Sequence, residues 1–145
     1  MRYFLDTNII IYALKNSYPE IKNHFMRIPS QTISIPSIVI AEIEYGARKS
    51  RNYEKTIEIY RQFMNTFSNA EFNEKAAICY GEIRSYLEKK GDLIGPNDML
   101  IASIVLAEEG ILVTHNVKEF AKIPNLSIED WTVNTGSFMR SSMAK

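Results

Sequence analysis

The chain is poor in cysteine, in net charge and in long apolar runs, and each shortage removes a class of protein. A single cysteine, Cys79, among 145 residues rules out an internal disulfide and points to a reducing compartment, the cytoplasm. It sits in the helical run Ala76-Ala77-Ile78-Cys79-Tyr80, where a buried packing role is expected rather than that of a nucleophile. Seventeen basic residues balance seventeen acidic ones, which excludes a protein that coats nucleic acid by charge alone and leaves nucleic acid open as a substrate. Small basic groups at Arg48-Lys49-Ser50-Arg51, at Lys89-Lys90 and at Lys118 with Lys122 read singly as solvated helix ends. No apolar run approaches the ~20 residues of a membrane-spanning helix, so no membrane association is expected. The start Met-Arg-Tyr-Phe-Leu-Asp leads into fold without a basic-then-apolar leader. Internal repeats and low-complexity segments are absent as well.

What is present is enough apolar residue, 46% of the chain, for one domain with its own core. That domain is expected over residues 1–131, with 132–145 polar enough to form a loosely ordered C-terminal tail. Tyr3-Phe4-Leu5 reads as a buried strand, residues 8–15 as a short helix, and 19–28 as a second with Pro19 in its first turn and Ile21, Phe25 and Ile28 on one face. Gln31-Thr32-Ile33-Ser34-Ile35 alternates as a strand does, and Pro36-Ser37 turns the chain into a helix over 38–49. Next come a helix over 53–67, a very short strand at Glu71-Phe72, and a helix over 74–90 capped by Asn73 and closed by Gly91. These two helices read as an inserted or flanking hairpin. Gly95-Pro96-Asn97 opens an apolar helix over 99–106, which Gly110 ends before the buried strand Ile111-Leu112-Val113. One helical turn over 117–121 and an edge strand over 127–131 complete a parallel crossover pattern, the mark of an α/β protein.

Three acidic side chains stand in apolar company. Asp6 directly follows the buried strand, where an unpaired carboxylate is costly and needs a donor, a cationic side chain or a metal. Its plainer reading is the N-cap of the helix beginning at Thr7-Asn8. Glu42 shares a helical stripe with Ile38 and Tyr45, whereas Glu44 lies on another face. Asp98 projects from the first turn of the apolar helix, with Asn97 as its cap, and a buried helix implies a buried N-terminus. In a parallel sheet with right-handed crossovers all three reach the edge formed by the carboxyl ends of the strands. Like charges gathered there require raised pKa values or a bound cation. An all-oxygen set without Cys or His suits Mg²⁺ or Mn²⁺ rather than zinc, and such a site performs hydrolytic phosphoryl chemistry.

Four blocks carry a resemblance: Leu5-Asp6-Thr7-Asn8; Ser37-Ile38-Val39-Ile40-Ala41-Glu42-Ile43-Glu44-Tyr45-Gly46-Ala47; Gly95-Pro96-Asn97-Asp98-Met99-Leu100-Ile101-Ala102; and Leu112-Val113-Thr114-His115-Asn116-Val117-Lys118-Glu119-Phe120. In order and spacing, over residues 3–131, the chain resembles the PIN-domain ribonucleases, and among them the VapC-type toxins of bacterial type II toxin-antitoxin pairs. The resemblance implies a PIN-like three-layer α/β/α fold with a four- or five-stranded parallel sheet. It also implies Mg²⁺-dependent endonuclease cleavage of RNA, leaving a 5′-phosphate and a 3′-hydroxyl, with Mn²⁺ as a substitute ion. Asp6 and Asp98 would be the principal metal ligands, and Glu42 would bind metal directly or through water and help deprotonate the nucleophile. Thr7, Asn8 and Thr114 would hold the carboxylates and waters in place.

A cognate antitoxin whose tail covers the cleft, often with an arginine reaching the carboxylates, and a homodimer formed through helices are further implications. The chain departs from the family at Asn116, where many PIN domains carry an aspartate, so a firmly held second metal is not expected. Glu119 compensates if its loop is one helical turn, although its ordinary reading is surface charge. The same asparagine occurs in VapC-like proteins similar to those that cut initiator tRNA, which makes that tRNA the first substrate to test. His24 and His115 are expected at the solvent, with His115 the better candidate for a substrate contact.

Two rival phosphoryl-transfer classes lack their marks here. A receiver-like phosphoacceptor domain needs an acidic pair and a late-strand lysine, and a haloacid-dehalogenase-type phosphatase needs a second aspartate where Asn8 stands. A catalytically weak PIN module serving as an RNA- or protein-binding scaffold is kept as the alternative because of Asn116.

Overall fold

The computed structural model of the chain describes residues 1–133 and the backbone of residues 138–140. Its elements in chain order are β1 (Tyr3–Leu5), α1 (Thr7–Lys15), α2 (Pro19–Arg27), β2 (Ile33–Pro36), α3 (Ser37–Arg48), α4 (Tyr53–Met64), β3 (Ser68–Ala70), α5 (Glu74–Lys89), α6 (Pro96–Ala107), β4 (Ile111–Val113), α7 (Val117–Phe120), β5 (Ser127–Glu129) and β6 (Phe138–Arg140). The strands hydrogen-bond in the order β3-β2-β1-β4-β5-β6, the first five parallel and β6 antiparallel to β5. A five-stranded parallel sheet flanked by helices is the expected PIN-like α/β fold.

The strands are only three or four residues long, and their sequence explains why they survive. Phe4, Leu5, Ile33, Ile35, Ile111, Leu112 and Val113 are all buried, the continuous apolar pattern of a parallel sheet covered on both faces. Each such side chain contributes about 1.5–3 kcal/mol when fully removed from water. Right-handed crossovers place α1 through α4 on one face, as the chain steps from β1 to β2 to β3, and α5 through α7 on the other as it returns across β1 to β4. The direction of winding reverses between β1 and β4, and a crevice opens at that switch point beyond the strand ends.

α6 is apolar all round and is buried on nearly every side, from Met99 to Val105; its one buried hydroxyl, Ser103, donates to the Met99 carbonyl at 2.6 Å. α5 ends where Gly91 takes a φ of 64°, a left-handed conformation that suits glycine. Gly110 answers a different need: a Cβ there would lie 2.3 Å from the Phe4 ring and 2.9 Å from the Arg2 carbonyl, so only glycine lets β4 enter beside β1.

Several sequence expectations are corrected. The third strand is Ser68–Ala70, not Glu71-Phe72, because Ser68 joins the buried Ser34 by a 2.6 Å hydroxyl contact and β2 sets the register. α4 and α5 form no hairpin: β3 runs between them, α4 lies against α3, and α5 lies along α6. The strand over 127–129 is not the edge of the sheet, since β6 pairs along it. Of the tail expected over 132–145, residues 134–137 and 141–145 lie outside the described residues. His24 is buried rather than solvent-facing, its ring stacked parallel on Trp131 at 5.1 Å. Cys79 is half-buried rather than a core residue.

Candidate active site at the carboxyl edge of the sheet

Asp6 fulfils both of its sequence readings at once. It is the N-cap of α1, accepting the Thr7 N–H at Oδ1 (2.8 Å), while Oδ2 accepts the Thr114 hydroxyl at 2.7 Å from the end of β4. Only 6% of it is exposed, and Thr114 is wholly buried. Burial raises the Asp6 pKa, the Thr114 and Thr7 hydrogen bonds pull it down, and Glu42 adds a smaller upward push. Thr114 is itself fixed, because its hydroxyl accepts the Asn116 backbone N–H at 2.9 Å.

Glu42 is held on both oxygens: Thr7 donates its hydroxyl to Oε1, and Asn97 donates its side-chain N–H to Oε2 at 3.1 Å. The stripe Ile38, Glu42, Tyr45 is therefore not an interior one. Val39, Ile43 and Ala47 form the buried face of α3, and the stripe is a wall of an open cleft. Glu44, on another face, ties α3 to α4 through Tyr53 (2.7 Å) and Arg61 (2.8 Å).

Asp98 stands in the first turn of α6, but the expected cap differs. Gly95 is the N-cap, Pro96 opens the helix, and Asn97 is turned to Glu42 instead. Nor is that helix end buried; Pro96 and Asn97 are exposed and Asp98 is half-buried on the cleft. Its pKa is pushed up to about 6, first by burial and then by the charges of Asp6, Glu42 and Glu119. Glu119 lies on α7, which is the single helical turn required for it to approach the site, and it is also paired with Lys122 at 3.4 Å.

Asp6, Thr7, Asn8, Glu42, Asp98 and Asn116 thus line one cleft of about 710 Å³, together with Ile38, Ala41, Tyr45, Gly46, Lys49 and Asn97. Thr114 stands behind Asp6, and His115 faces away from it. The His115 imidazole meets the rings of Tyr12 and Tyr18, and its Nδ1 lies 3.1 Å from the Asp130 carboxylate. Asn97, Tyr45 and Lys49 were not singled out from sequence as site residues; helical spacing from Glu42 marks the last two, and nothing local marks the first.

Among the described residues, no lysine or arginine forms an ion pair with Asp6, Glu42 or Asp98. Also among them, no three Asp, Glu, His or Cys side chains are gathered so that they hold an ion by themselves. The three carboxylates share a cleft without forming a closed cage. That donor set suits Mg²⁺, which keeps several waters and takes one or two protein carboxylates with substrate phosphate.

The family profile described as "PIN domain" matches residues 3–126. The chain is 44% identical over 133 residues to the protein named "Ribonuclease VapC2" of Rickettsia felis, covering 90% of this chain and 98% of that protein. It is 34% identical over 131 residues to the "tRNA(fMet)-specific endonuclease VapC" of Salmonella typhimurium, with 90% and 98% covered. Among solved structures, that of VapBC2 from Rickettsia felis bound to a promoter DNA fragment is similar, with a TM-score of 0.85, 42% identity, and 90% of this chain and 99% of that one covered. With sequence, sheet order and the carboxylate-lined cleft in agreement, the chain belongs to the PIN domain family, among the VapC ribonucleases.

Proposed function

We propose that the protein is a Mg²⁺-dependent endoribonuclease, the toxin of a toxin-antitoxin pair, acting in the cytoplasm through Asp6, Glu42 and Asp98. One observation carries the reading: three carboxylates, from the end of β1, from α3 and from α6, line a single cleft without ion-pair partners among the described residues, and burial first, then the neighbouring carboxylates, push the Asp98 pKa up. Relatives from Salmonella typhimurium and Shigella flexneri named as tRNA(fMet)-specific endonucleases make initiator tRNA the first substrate to test. The VapBC complexes among similar structures support an antitoxin partner; its tail would cover the cleft. The catalytic unit is residues 1–131, and a homodimer is its expected form.

Asp6 and Asp98 would hold the ion, with Glu42 reaching it directly or through water. When bound, the ion supplies charge neutralisation and Lewis acidity at the scissile phosphate. Thr7 and Asn97 fix both oxygens of Glu42, which takes the proton of the attacking water. Thr114 keeps the Asp6 carboxylate oriented, and its hydrogen bond opposes the upward push of burial on the Asp6 pKa. Asn8 and Asn116 offer neutral amides to water or phosphate oxygens, and Glu119 supplies the negative charge that Asn116 lacks.

A second reading, a catalytically weak RNA- or protein-binding scaffold, is favoured by Asn116 and by the open carboxylate arrangement. Induced expression in a bacterial host, with sequencing of new 5′ ends, separates the two. The nuclease reading expects growth arrest, a dominant cut site, and loss of both with Asp6→Asn or Asp98→Asn. Cleavage by purified protein that persists in excess chelator, or in both variants, would overturn it, and no arrest with no new ends would favour the scaffold.

A further inference from the structure

Beside the carboxylates, the exposed face of α3 carries three features that the cleavage chemistry does not use. Tyr45 is 66% exposed on the cleft wall, a large aromatic ring with no packing role to account for it. Lys49, one turn on, sets its Nζ 4.9 Å from the centre of that ring, and it is the one basic residue among the described residues that line the cleft. Gly46 lies between them in the last turn of α3. A Cβ added there would meet nothing within 4 Å, so no neighbour requires the glycine, although glycine inside a helix is costlier than alanine. An open patch with a cation-backed ring and a missing side chain is a shelf of the kind on which a nucleobase lies.

We propose that Tyr45, Gly46 and Lys49 form a stacking subsite for one unpaired nucleotide flanking the scissile phosphate, Tyr45 receiving the base, Gly46 leaving room for it, and Lys49 meeting the adjoining phosphate. This rests on the ribonuclease reading above. A cleft whose other charges are all negative repels an incoming phosphate backbone, and a cation at its rim supplies the compensating attraction. Ring stacking is indifferent to base identity but requires a base free of its helix, so this subsite selects single-stranded or looped RNA. A duplex keeps its bases stacked on one another and gains nothing here.

The test uses the full chain carrying Asp6→Asn, so that binding is read without cutting, and a fluorescein-labelled oligoribonucleotide with the sequence of the initiator tRNA anticodon stem-loop. Its loop region, annealed to a complement, is the paired control. In fluorescence anisotropy Tyr45→Ala is expected to weaken stem-loop binding about tenfold and Tyr45→Trp to restore it, with duplex binding unchanged. Lys49→Gln is expected to flatten the log affinity against log salt slope by about 0.7. Gly46→Ala gives the sharpest separation: it should raise Tm by strengthening the helix while weakening the stem-loop complex, a pairing that a purely structural glycine would not show. Equal affinity of Tyr45→Ala and the parent for the stem-loop, equal loss for stem-loop and duplex, or no RNA binding by the parent would each overturn the subsite. A change in sedimentation of Tyr45→Ala to a smaller species, with RNA affinity per chain unchanged, would reassign the ring to contact with a second copy. If the wild-type chain cuts RNA in a metal-dependent way and Tyr45→Ala cuts it with the same KM, the subsite alone fails and the nuclease stands.

Discussion

At the scale of single residues, the cleft brings together carboxylates that each have an ordinary structural role. Asp6 caps a helix, Asp98 decorates a helix start, and Glu42 takes two hydrogen bonds, all ordinary acts for acidic residues. What sets them apart is their company, and Asp98 records it most clearly. Folding raises its pKa from 3.8 to about 6, so its favourable contribution is complete below the unfolded value and is lost as pH rises through about 6. In metal-free protein at pH 8, Asp98→Asn should therefore raise Tm by about 2–4 °C, the shift that about 1 kcal/mol produces in a chain of this size. The gain should vanish by pH 4, and calorimetry in chelator at the two pH values checks it. Addition of Mg²⁺ should stabilise the wild type at pH 8 and leave the variant nearly unchanged.

At the scale of elements, short strands set the tolerances. β1 has three residues, and both the Asp6 cap and the Thr114 bond depend on β1 and β4 ending side by side, as the Asp6 N–H to Val113 carbonyl bond of 2.9 Å shows. Gly110 is what lets β4 enter that register. Gly110→Ala should cost about 1–3 kcal/mol in urea unfolding, the usual penalty for overpacking a filled interior. Because the displaced neighbours are Phe4 and the Arg2 carbonyl, cleavage should fall along with stability. Unchanged unfolding would mean that the strand ends slide freely. α3 is the other element that shapes the cleft: one face packs, the next lines the cleft, and a third ties to α4 through Glu44.

At the scale of the whole molecule, the far end of the described chain is anchored to its beginning. Trp131 is fully buried, stacks on His24 of α2, and meets Phe25 edge-on at 5.1 Å. His24 Nε2 lies 3.3 Å from the Val133 carbonyl, and Arg27, Glu20 and Glu129 are the charges around it. Burial leads the causes that lower its pKa, so its neutral form belongs to the fold; that stability is present above pH 6.5 and lost as pH falls through the folded value. His24→Phe keeps a flat ring on Trp131 and removes the proton site. The stability difference between wild type and this variant, followed by Trp131 fluorescence in urea, should move against the wild type between pH 7 and 5. A difference independent of pH would show that His24 does not titrate against folding. Asp98 acts in the opposite sense over the same range, and it cancels in the comparison because the two sites are separate.

Sequence alone determined the local facts of this protein. Buried apolar triplets specified β1 and β4, Asn73 and Gly91 bracketed α5, and Asp6, Glu42 and Asp98 stood out because charge after or within apolar runs demands a partner. It misplaced β3 and left β5 at the edge, because three-residue strands hold too little pattern and their register comes from neighbours distant in sequence. It put His24 in solvent because nothing near it in the chain announces Trp131, which is contributed from the opposite end. Only the tertiary structure decided that Asn97 turns to Glu42 rather than capping its helix, that the Ile38, Glu42, Tyr45 stripe faces a cleft, and that the charges of Asp6, Glu42 and Glu119 act on Asp98. The physical reason is common to all of these: hydrogen-bond periodicity is short-ranged and written in adjacent residues, whereas burial and electrostatic repulsion depend on which distant segments the sheet order brings together.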